Sequence, residues 1–164
     1  VVPAAHNANF LPLTLAASDT LTCLPLDGSG EAAYGYLDAV RAAAAAADEA
    51  AAACWLTLLA ACDAPGRVEL PVRLQELAEA TSRHTGREWW FSDDSTHRRR
   101  VADAQLRIED AVREGDGEEF AEAFAGYDQA VARAVVCSPR AAHRGAAVPP
   151  ARHPDDGAAV SHSR

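Results

Sequence analysis

Asp93, Asp94, Ser95 and His97 fall within one short stretch, which therefore carries the carboxylate, hydroxyl and imidazole types used in nucleophilic catalysis. His84 is the histidine that could join them across the intervening linker. A triad is assembled in space, however, and neighbours in sequence are more simply read as caps, because Ser and Asp oxygens accept the free N–H groups of a helix start. The P-loop, Cys-x-x-Cys, His-Glu-x-x-His and Gly-x-Ser-x-Gly patterns are missing, as are the paired Glu-x-x-His motifs of di-metal bundles. No catalytic residue is assigned, and no metal or cofactor is expected. An enzyme with a site near His84 and His97 remains an alternative reading.

Arg98, Arg99 and Arg100 follow His97 directly and form a basic patch suited to an anion or to the carboxylates of a partner. The formal net charge of −9 argues against a general binder of phosphate backbones. A regulator taking a small ligand or nucleic acid through these arginines is the second alternative. Trp89, Trp90 and Phe91 make the densest aromatic run in the chain. Such residues either plug the end of a core or serve as the anchor of a partner contact.

Several motif-like phrases lack their context. Gly28-Ser29-Gly30-Glu31-Ala32-Ala33 fits a dinucleotide fingerprint, but Pro25 interrupts the strand it needs and Glu49 falls within a helix. Leu74 to Ala80 has the pattern of the first helix of a helix-turn-helix, without a tight turn and recognition helix after it. Asp116-Gly117-Glu118-Glu119 lacks the alternating ligands of a calcium loop. His143, His153 and His162 are too widely spaced for a preformed metal site.

The elements that hold these residues are helical. From 31 to 64 about half the residues are alanine, and no proline occurs before Pro65. Leu37, Val40, Ala44, Ala47, Ala51, Cys54, Leu58 and Ala61 recur at steps of three and four, which predicts one long amphipathic helix. Pro65-Gly66 ends it. Pro71 suits the first turn of a second helix with Leu70, Leu74, Leu77 and Ala78 on its apolar face and Gly86 as its stop. Val101, Ala104, Ile108, Ala111 and Val112 form the stripe of a third. Phe120, Phe124, Tyr127, Val131, Ala134 and Val135 form that of a fourth, with Glu118, Glu119, Glu122 and Asp128 on more polar positions. Gly115-Asp116-Gly117 joins the last two as an antiparallel hairpin, with Asp116 and Glu119 at capping-box spacing.

The expected fold is therefore all-α: a bundle of about four main helices around one long Ala-rich helix, ending in a helical hairpin. The expected domains are an N-terminal extension over 1–29, the bundle over 30–137, and a disordered Pro/Ala/Arg/His tail over 138–164. Cys54 and Cys62 lie too far apart on one helix to pair, and with Cys23 and Cys137 the spacing is not that of a stapled domain, which points to a reducing cytoplasm. The long helix carries Arg41, Asp48 and Glu49 against a membrane role, and Phe10–Ala17 lacks the basic start of a secretory signal. Cys62 after Leu59-Ala60-Ala61 resembles a lipoprotein box, but one placed at the end of an amphipathic helix. All fifteen Lys and Arg positions are arginine and methionine is absent, a bias typical of GC-rich bacterial coding, in which Val1 would be either an alternative start or a position inside a longer gene product. The function expected from these features is protein–protein interaction or self-association.

Overall fold

The computed structural model describes residues 9–23, 31–60 and 66–145. Among these there are seven helices and no strand: α1 (Pro12–Thr22), α2 (Glu31–Leu59), α3 (Gly66–Thr85), α4 (Arg87–Trp90), α5 (Thr96–Glu114), α6 (Gly117–Cys137) and α7 (Pro139–Gly145). The four long helices are α2, α3, α5 and α6, as the hydrophobic periods predict. They form two hairpins, α2 with α3 and α5 with α6, whose apolar faces meet.

The predicted stripe of α2 is buried throughout: Leu37, Val40, Ala44, Ala47, Ala51 and Cys54 are all inaccessible. At about 1.5 Å per residue α2 is roughly 44 Å long. By length and composition alone Tyr34–Leu59 would suffice to cross a bilayer. In the bundle its stripe is covered by α1 and α3. The predicted continuation to 64, with Cys62, lies outside the described residues, as does the Gly28–Gly30 phrase.

The turn between α5 and α6 follows the expected chemistry. Gly115 adopts φ +74°, a left-handed conformation that favours glycine, and Asp116 accepts a hydrogen bond from the Glu119 amide at 3.0 Å. Gly126, by contrast, sits inside α6, and an added Cβ there would meet nothing within 4 Å. Gly126→Ala is therefore expected to stabilise the protein by about 0.5–1 kcal/mol, and Gly115→Ala to destabilise it by a similar amount. Urea denaturation of both variants checks this, and equal shifts of the same sign would contradict it.

Two segments set apart by sequence belong to the bundle. The first is α1, within the expected extension over 1–29. It lies between α2 and α6 and buries Leu11, Thr14, Ser18 and Leu21. Composition hides it because its buried face includes a threonine and a serine. The second is α7, within the expected disordered tail. Ser138 caps it, accepting from the Ala141 amide at 3.2 Å, and Ala141 is buried. Arg140 lies 5.0 Å from the Tyr36 ring centroid and donates to the Arg83 carbonyl. The rest of the tail, with His153 and His162, lies outside the described residues. Pro71 is also displaced from its expected place: α3 begins at Gly66, so the proline is inside the helix, where it donates no amide hydrogen bond.

The capping of α1 is supplied from a distance. Leu11 at its N-cap offers no side-chain acceptor, and Pro12 follows. Asp48 of α2 accepts from the Phe10 and Leu11 amides at 2.6 and 2.9 Å. Asp128 of α6 accepts from the Leu13 and Thr14 amides, both at 2.8 Å, and from the Thr14 hydroxyl at 2.7 Å. Since proline has no N–H, two carboxylates satisfy the donors of residues 10, 11, 13 and 14, and they place negative charge at the positive end of the helix. Asp128 is 2% exposed, so its expected polar-face position is corrected: it faces the core because its partners are there.

The main aromatic cluster is assembled from three stretches. Phe10, Trp55, Phe120, Phe124 and Tyr127 pack with successive centroids 4.9–6.0 Å apart. Tyr127 donates to the Leu74 carbonyl at 3.3 Å, and burial pushes its hydroxyl pKa well above the ordinary value.

Candidate functional site

The α2 and α6 side of the bundle is filled by α1, whereas α3 and α5 touch only sparsely. Between them runs a groove of about 460 Å³ with Ala78, Trp90, Val101 and Ala102 among its apolar lining and Gln75, Glu79, Ser82, Arg83, Arg98 and Gln105 among its polar lining. A smaller hollow, lined by Leu70, Leu74, Ile108 and Val112, continues the same seam towards the start of α3. Val68 and Val72 on α3 and Leu106 on α5 are 77%, 53% and 59% exposed, and helical geometry sets them beside the groove-lining positions of their helices.

The aromatic run is divided by its short helix. Gly86, at φ +97°, turns the chain out of α3 and into the single turn α4. Trp90 then points inward and is 4% exposed, so it plugs the core. Trp89 is half-buried and packs against His97 in a tilted arrangement, with centroids 5.2 Å apart and planes 30° from parallel. Phe91 points outward at the groove mouth, 52% exposed. The guanidinium carbons of Arg87 and Arg98 lie 5.7 and 5.8 Å from its ring centroid, within reach of cation–π attraction.

The arginine run is divided too, because successive helix residues point about 100° apart. Arg98 turns towards α3 and the groove. Its Nε is buried without a hydrogen-bond partner among the described residues. Arg99 is exposed. Arg100 turns the other way, into a crevice between α5 and α6 that Asp103, Arg107, Gly126, Gln129 and Arg133 also line. The three arginines therefore serve two surfaces and do not form one patch. At the groove, Arg83 and Arg87 share the Glu79 carboxylate at 3.1 and 3.0 Å. Three guanidiniums thus stand against one acid there.

The residues weighed for catalysis are placed differently from a triad. Ser95 is the N-cap of α5, its oxygen accepting from the Arg98 amide at 3.3 Å. Asp93 and Asp94 are exposed. His84 is buried on α3 at 1% exposure. No hydrogen bond joins Asp93, Asp94, Ser95 and His97 among the described residues. No group of three or more metal-ligating side chains occurs among the described residues. Burial, then the charges of Arg100 and Arg133, hold the His97 pKa below its ordinary 6.5. The folded state therefore favours neutral His97. That contribution to stability is present above pH 6.5 and is lost as the pH falls through the depressed value. His97→Gln should flatten the fall in stability between about pH 7.5 and pH 5 relative to the parent. An unchanged slope in thermal denaturation would contradict this.

Cys54 is buried, and burial pushes its thiol pKa up, consistent with its place in an apolar stripe. Cys23 and Cys137 are exposed free thiols. In comparisons with protein-family models, curated proteins and solved structures, nothing matches this chain.

Proposed function

We propose that the protein is an interaction module that takes an acidic, amphipathic peptide segment of another protein into the groove between α3 and α5. The observation that carries this reading is Phe91, half exposed at the groove mouth between Arg87 and Arg98. An exposed aromatic at the end of a helix turn has the character of a binding anchor. Arg98 lines the groove with no carboxylate within ion-pair distance among the described residues, and a partner carboxylate supplies one. Ala78, Val101 and Ala102 leave room for the apolar face of the segment, and the exposed valines of α3 extend that face. The local excess of arginine in a chain of net charge −9 is the complementarity that selects acid. Because the chain as a whole repels acidic partners, recognition depends on short-range contacts. The free thiols suit a reducing cytoplasm as the place of action.

Selection from a random peptide library, with counter-selection against a Phe91→Ala/Arg98→Gln variant, tests the proposal. Enriched peptides should carry acidic residues at helical spacing beside an apolar stripe, and should lose binding to the variant. Neutral or basic winners, or peptides that bind both proteins equally, would refute it. Concentration-dependent dimerisation abolished by the same variant would replace the foreign segment with a second copy of this chain.

A further inference from the structure

The crevice between α5 and α6 lies on a different face from the groove and has a different chemistry. Arg100 of α5 and Arg133 of α6 line its opposite walls, with Gln129 beside them and Gly126 leaving its lower part open. Arg107, further along, is paired with Glu119 at 2.7 Å and reaches Glu122 at 3.6 Å. Arg100 and Arg133 have no carboxylate within ion-pair distance among the described residues. Asp103 is the acid that shares the crevice with them. With Arg107 matched by Glu119, the remaining lining is net positive, on a chain whose overall charge is −9.

We propose that this crevice binds the phosphoryl group of a small phosphate monoester. Two guanidiniums on facing walls call for an anion with oxygens directed at both. One guanidinium fork satisfies the two oxygens of a planar carboxylate, whereas a tetrahedral phosphoryl group presents three oxygens and bridges two forks. The Gln129 amide adds a neutral donor. The crevice, about 310 Å³, has room for a small ester as well as its phosphoryl group. Burial, then the charges of the same two arginines, lower the pKa of His97, which precedes Arg100 by three residues on α5. A bound dianion offsets those charges, so occupancy and His97 protonation are linked.

The test uses the intact protein with inorganic phosphate and glycerol phosphate as probes and acetate as the control anion. Arginine Nε–Hε resonances and the His97 imidazole are followed by NMR. Phosphate should shift Arg100 and Arg133 saturably, with a dissociation constant on the order of 1 mM for two exposed charge-assisted contacts. It should leave Arg113, paired with Asp110 on the surface, unmoved. The His97 pKa should rise towards its ordinary value as phosphate is added. Arg133→Gln, at an exposed position that does not threaten the fold, should weaken phosphate binding roughly tenfold. Shifts that fail to saturate, appear equally at Arg113 or survive Arg133→Gln would overturn the proposal. So would acetate binding as tightly as phosphate.

Discussion

Asp128→Ala is expected to destabilise the protein by about 3 kcal/mol. The carboxylate is 2% exposed and accepts the two amides that open α1 together with the Thr14 hydroxyl. Losing a helix cap alone costs about 1 kcal/mol, and leaving buried donors unsatisfied adds a further 1–3 kcal/mol. Asp128→Asn keeps one acceptor oxygen but turns an NH₂ towards donors, so it should fall between alanine and the parent. Asp48→Ala should cost less, because its bonds to Phe10 and Leu11 are only partly buried. Denaturant titration measures the global effect, and hydrogen exchange at Leu13, Thr14 and Leu15 locates it. A cost below about 0.5 kcal/mol for Asp128→Ala, with no faster exchange in α1, would mean that the two carboxylates do not hold that helix.

Trp90→Ala should unfold a large fraction of the molecule's stability, whereas its neighbour Phe91 should be dispensable for folding. Trp90 is 4% exposed, and truncating a buried tryptophan costs about 3–5 kcal/mol. Phe91 is 52% exposed, so Phe91→Ala should change stability by no more than about 0.5 kcal/mol. Its effect belongs to binding. Loss of an anchor of this kind lowers affinity for a selected acidic peptide about 30-fold or more, equivalent to roughly 2 kcal/mol. Trp89, packed against His97 and half-buried, should fall between the two in stability. Calorimetry on the three variants, followed by peptide titration of those that fold, separates the core role from the contact role. Equal destabilisation by Trp90→Ala and Phe91→Ala would remove Phe91 from the surface account.

The four long helices were legible because each repeats apolar residues at helical spacing, and the α5–α6 hairpin because Gly115 and Asp116 have local chemistry that needs no distant partner. The helix α1 was not legible as part of the core. Its N-terminus has no local cap, and two of its three buried positions are Thr14 and Ser18. A trace did exist in the chain. Asp48 lies four residues after Ala44 and Asp128 four residues after Phe124, so each is a carboxylate set along an apolar stripe. A buried acid requires donors, and an uncapped helix start offers them.

The site was half legible. Composition brought out Trp89 to Phe91 and Arg98 to Arg100, but adjacency in sequence suggested two compact patches. Helix geometry sends neighbouring residues to different faces. It therefore joins Phe91 with Arg98 at one groove and Arg100 with Arg133 at another crevice. Arg133 gave no signal in sequence because nothing near it is basic. Arg87 and Glu79 gave none because their meeting depends on the turn at Gly86.

The most direct measurement of the interaction account is site-specific photocrosslinking in cells that express the full chain. A photoreactive phenylalanine derivative is placed at Ala102, an exposed position that lines the groove, and separately at Ala39, an exposed position on α2 away from it. The account predicts a discrete adduct from Ala102 only, mapping to an acidic amphipathic segment of another protein and lost when Phe91→Ala is added. Adducts of equal yield from both positions, or an Ala102 adduct that survives Phe91→Ala, would contradict it.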